Sequence, residues 1–75
     1  MPLEEIIADV FSIPQSSVLD SLPFEDIPSW DSMSHMLFIV RLEETYLVKF
    51  TGDQIADLRT VADTRAALIS NGAIL

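Results

Sequence analysis

From Ser32 to about Val48 no proline or glycine interrupts a helical pattern, and this is the longest such segment in the chain. One long helix therefore stands at the centre of any fold available to it. On a wheel of about 100° per residue, His35, Phe38, Ile39, Leu42 and Tyr46 fall on one side. That side reads as a core face. Met33, Met36, Leu37 and Val40 fall nearly opposite, with Glu44 below them, and they form a second apolar stripe. A chain of 75 residues has few elements with which to cover both faces. Two readings stand: a further helix or a loop covers the second stripe, or part of it stays open to partners, a role that suits the adaptable thioether of methionine.

The rest of the chain predicts helices around this one. Leu3, Ile6, Ile7 and Val10 recur at i, i+3, i+4 and i+7, with Glu4 and Glu5 in the first turn, and predict a first helix to about Ser12. Pro14 stops it. A long connection follows to about Trp30, punctuated by Pro23 and Pro28, with Val18, Leu22, Phe24 and Ile27 as apolar pins. Thr51-Gly52-Asp53-Gln54 has the form of a capping box and opens a short third helix through Leu58. Thr60-Val61-Ala62-Asp63 repeats that logic for a last helix ending near Asn71-Gly72, where glycine suits a left-handed cap. The expected fold is all-α: one domain over residues 1–75, with four helices, of which three are longer and the third is short, and a long first loop. No strand alternation and no repeat compete with that pattern.

Charge and composition narrow the function. Twelve acids against four bases give a formal charge of −8, which opposes nucleic acid and anionic membrane and favours partners with basic patches. The chain has no cysteine, so it offers neither a disulfide nor a thiolate, and a reducing cytoplasm is the simplest compartment. Any thiol it uses must be borrowed. Met1-Pro2-Leu3-Glu4-Glu5 carries acids where a signal peptide carries bases, and the longest apolar run is Met36 to Val40. The expectation is a soluble cytoplasmic protein. The acids lack the spacing of a calcium loop, no glycine-rich phosphate loop is present, and no metal site is expected.

Ser32 opens the central helix at the edge of the second stripe. With Asp31 as N-cap it occupies the first helical position, where a phosphate ester would meet unpaired amide donors and the positive end of the helix dipole. The bland alternative is that Asp-Ser is simply a common helix start.

Trp30-Asp31-Ser32-Met33, then Leu42-Glu43-Glu44-Thr45-Tyr46, with Thr60-Val61 opening the last helix, resembles the phosphopantetheine-binding acyl carrier proteins over nearly the whole chain. Their signature is Asp-Ser-Leu or Asp-Ser-Met at the start of the second of four helices, followed by a Leu-Glu-Glu-like segment ending on an aromatic residue. The resemblance implies an antiparallel bundle with no catalysis of its own. Its serine accepts 4'-phosphopantetheine from coenzyme A through a separate phosphopantetheinyl transferase, and the thiol of that arm holds acyl groups as thioesters. Carried over by position, Ser32 is the attachment point and Asp31 its acidic neighbour. Met33, Met36, Leu37, Val40, Glu43 and Glu44 form the surface for acyl-loading and acyl-processing enzymes, and the protein is expected to act as a monomer.

Asp20-Ser21-Leu22 matches the short motif more literally than Asp31-Ser32-Met33, but Pro23 follows at once and no uninterrupted helix begins there. Ser21 is therefore assigned to a turn. Pro28-Ser29-Trp30 stands where peptidyl carriers often have a glycine pair, which argues against that subclass. Ser34, Leu37 and Arg41 stand where fatty-acid carriers commonly hold acids, which points to a dedicated lipid or polyketide pathway. Two rivals remain: a hydrolytic Ser32–His35–Asp31 relay, opposed by the turn of His35 toward the core, and an unmodified helical adaptor that docks partners through the Met33 and Met36 stripe.

Overall fold

A computed structural model describes residues 2–74 of the chain. Four helices follow in order: α1 (Leu3–Phe11), α2 (Ser32–Tyr46), α3 (Gly52–Asp57) and α4 (Val61–Ser70). Two 3₁₀ turns, Gln15–Ser17 and Phe24–Asp26, order the long connection between α1 and α2. Among the described residues the β-type pairing is a single isolated bridge between Pro23 and Thr60. The all-α expectation holds in number, order and relative length of helices.

Helix boundaries follow local chemistry. Ser12 and Leu47 adopt left-handed geometry at the C-caps of α1 and α2, so both helices end slightly earlier than the sequence pattern predicts. Pro14 thus stands beyond a stop already made. The expected boxes Thr51/Gln54 and Thr60/Asp63 both form, each with its two reciprocal hydrogen bonds. Gly72, at φ 95°, closes α4: Ala73 N–H donates to the Leu68 carbonyl and Gly72 N–H to that of Ile69.

Three phenylalanines from three different segments make the centre. Phe38 of α2 meets Phe11 of α1 and Phe24 of the connection, each at a ring-centroid distance of 5.4 Å. Around them Leu3, Ile6, Ile7, Ile39, Leu42, Val61 and Leu68 are fully buried. Val18, Phe24 and Ile27 are buried and Leu22 packs against the same cluster, so the connection is fixed by the pins expected of it. Ser29 adds a polar tie by donating its hydroxyl to the Phe11 carbonyl at 2.6 Å, satisfying an end group of α1.

The Asp20-Ser21-Leu22 segment has structural work of its own. Ala62 N–H donates to the Asp20 carbonyl and Val61 N–H to that of Leu22, so this segment satisfies first-turn donors of α4. Asp20 also pairs with Arg65, which holds Glu4 as well, and one guanidinium thereby joins α1, the connection and α4. Ser21 lies exposed in a turn, as expected.

Candidate functional site

Ser32 is exposed at the first position of α2, behind its N-cap Asp31. Asp31 Oδ1 accepts from Ser34 N–H at 2.8 Å, while Ser34 Oγ accepts from Asp31 N–H at 2.9 Å. This reciprocal box is one the sequence reading missed, because serine is a short substitute for the usual glutamate at that position. These bonds, the Ser34 amide first, hold the Asp31 carboxyl below its ordinary value. The acid is thereby kept as a carboxylate facing the helix end. Ser32 itself is exposed at the positive terminus of a 15-residue helix.

The two faces of α2 part as the wheel predicts. His35, Phe38, Ile39 and Leu42 are buried, and Tyr46 is partly buried. Met33 is 76% exposed, Met36 47%, Leu37 58% and Val40 45%. Among the described residues no helix or loop covers the second stripe, so of the two readings the open one holds. The stripe runs directly from Ser32 down the helix, with Glu44 exposed below it. Glu43 differs: its carboxylate accepts from Phe50 N–H at 2.9 Å and anchors the segment after α2. Arg41 is turned to Asp9 of α1, with N···O 3.2 Å, so its charge is partly answered within the protein.

A cavity of about 600 Å³ is lined by Phe24, Trp30 and His35 together with Ile55, Ala56 and Leu58. His35 Nδ1 accepts from the Trp30 indole N–H at 3.2 Å, and Nε2 lies 3.1 Å from the Ile55 carbonyl. Both ring nitrogens are thus engaged away from Ser32, and Asp31 is committed to Ser34. No hydrolytic relay joins the three. Sequence reasoning placed His35 on the core face but could not find its partners, since Ile55 is 20 residues away. Among the described residues no group of three or more histidines or acids is arranged to hold a metal, and no helix is long and apolar enough to cross a membrane.

The sequence profile of the family described as "Phosphopantetheine attachment site" matches residues 2–68. An acyl carrier protein of Kineococcus radiotolerans is 36% identical over 64 residues, covering 85% of this chain and 79% of that protein. The chain belongs to the acyl carrier protein family. A meromycolate extension acyl carrier protein of Mycolicibacterium aurum is 39% identical over 64 residues, covering 85% of this carrier and 66% of that protein. The solution structure of the holo acyl carrier protein of Geobacter metallireducens superposes with a TM-score of 0.82 at 32% identity, covering 92% of this carrier and 79% of that chain. The carrier's cofactor is a covalent 4'-phosphopantetheine. An exposed serine at a helix N-terminus fits that group. Family membership also implies dealings with a phosphopantetheinyl transferase and with acyl-processing enzymes.

Proposed function

We propose that Ser32 is the residue that bears the arm, and that Met33, Met36, Leu37, Val40 and Glu44 form the surface that partner enzymes read. When bound, the arm supplies a thiol that holds acyl groups as thioesters. The observation that carries the proposal is the continuity of an exposed serine at the start of α2 with an exposed apolar stripe on the same helix. Asp31 caps the helix and keeps Ser32 at its first position. Glu43, held by Phe50 N–H, has one side committed to the fold and acts at the margin of the surface. In this reading the carrier is a single domain over residues 1–75. It acts as a cytoplasmic monomer free of membrane, and its partners do the chemistry.

The pathway is proposed to be a dedicated one. Two supports are the Mycolicibacterium relative named for meromycolate extension and the presence of Leu37 and Arg41 on the partner-facing helix. The attachment residue is tested by incubating the protein with coenzyme A and a broad-specificity transferase, then measuring intact mass. The parent and Ser21→Ala should each gain one arm, and Ser32→Ala none. Ser32→Ala should keep its helicity, since surface changes away from caps usually cost under about 0.5 kcal/mol. Loading of Ser32→Ala, or its loss in Ser21→Ala alone, would refute the assignment.

A further inference from the structure

Among the described residues, two that are not glycine have positive φ, and each ends a helix: Ser12 after α1, at φ 54°, and Leu47 after α2, at φ 56°. A side chain in this left-handed geometry crowds the backbone, which is why glycine, and next asparagine, usually takes the position. Ser12 meets that demand with a short polar side chain. Leucine at 47 is the poorer choice, and because the residue is 88% exposed, burial offsets little of the crowding. Leu47 also stands outside the apolar cluster of the core. A strained residue from which the fold gains so little points to a role outside the fold.

Its place in the sequence says where that role lies. Met33, Val40 and Leu47 follow one another at intervals of seven, with Met36, Leu37 and Glu44 between them, so Leu47 continues the exposed stripe of α2. It is the last apolar member. At about 1.5 Å per residue it stands roughly 22 Å from Ser32 along the helix. Glu44, Thr45 and Lys49 are exposed around it.

We propose that Leu47 is the far anchor of the partner surface on α2, seated in an apolar socket of the phosphopantetheinyl transferase that is bordered by a base for Glu44. Continuity with the stripe that begins beside Ser32 argues for an enzyme that acts on Ser32, and the net charge of −8 argues for a basic rim. The inference rests on the proposed α2 surface and on Ser32 as the attachment residue. Leu47 is too far from Ser32 to touch the reacting atoms, so it acts in positioning the two proteins and belongs to KM rather than kcat.

The test measures stability and loading in the same variants. Leu47→Gly and Leu47→Asn suit the left-handed geometry, so their urea midpoints should match or exceed the parent's. In both, KM for loading from coenzyme A by a broad-specificity transferase should rise roughly tenfold with kcat unchanged. Leu47→Met restores an apolar side chain and should recover most of that loss. Ser12→Gly relieves the same geometry at the other cap and should leave loading as it is. An unaltered KM in both Leu47→Gly and Leu47→Asn, or a lower midpoint in both, would overturn the anchor. So would a concentration-dependent dimer of the parent in sedimentation that Leu47→Asn abolishes, since Leu47 would then face a second copy. Met36→Ala separates this inference from the surface beneath it: if Met36→Ala weakens loading and the Leu47 variants do not, the anchor alone fails. If none of them weakens loading, the α2 surface fails with it, and a parent that accepts no arm at Ser32 would count against the attachment residue itself.

Discussion

At the scale of single residues, the carrier spends its acids on specific backbone and guanidinium partners. The Glu4 carboxyl is held below its ordinary value chiefly by its hydrogen bond to Arg65, and Asp31 chiefly by the Ser34 amide. Groups whose native values are depressed stabilise the fold above the unfolded carboxylate values of about 4, and that contribution is lost as pH falls through the native values. Urea midpoints should therefore hold steady from neutral pH to about pH 5 and drop below about pH 4. Glu4→Gln should flatten part of that drop. An acid limb identical to the parent's would show that Glu4 carries none of it.

Among the elements, α2 is distinguished by two apolar faces with different fates. Phe38 touches Phe11 and Phe24 at the centre, so Phe38→Ala should destabilise by roughly 3 to 5 kcal/mol. That is a large share of the stability of so small a domain. Met36 is about half exposed on the opposite face, and Met36→Ala should cost about 0.5 kcal/mol or less while weakening partner binding. Denaturant unfolding of both variants, with a binding assay against the transferase, separates the two roles. Equal destabilisation would make the stripe a second piece of core.

For the molecule as a whole, an overall charge of −8 draws it toward basic partners, while the upper part of α2 presents Leu37 and Arg41 in place of acids. Arg41 lies against Asp9, which would soften its repulsion of a basic patch and leave Leu37 more of the proposed discrimination. That exposed pair is worth little to stability. The double variant Leu37→Glu, Arg41→Glu should therefore unfold near the parent's midpoint. It should be turned over severalfold faster than the parent by a general fatty-acid ketosynthase, with stronger salt dependence. No improvement, or a parent already equal to an ordinary fatty-acid carrier, would end the dedicated-partner idea.

Periodicity and capping chemistry are local, so the sequence by itself determined the four helices, the two threonine boxes, the glycine cap at Gly72 and the division of α2 into two faces. It also ranked Ser32 above Ser21, because Pro23 denies the Ser21 segment a helix. Only the tertiary structure decided whether the Met33–Val40 stripe is covered, since that depends on where other segments go. The same holds for Glu43, which pairs with a backbone amide seven residues on, and for Arg41, whose partner Asp9 lies 32 residues back. His35 makes the division plainest. Its place on the core face follows from spacing along one helix, whereas its contacts with the Trp30 indole and the Ile55 carbonyl exist only once α2, α3 and the connection have packed together.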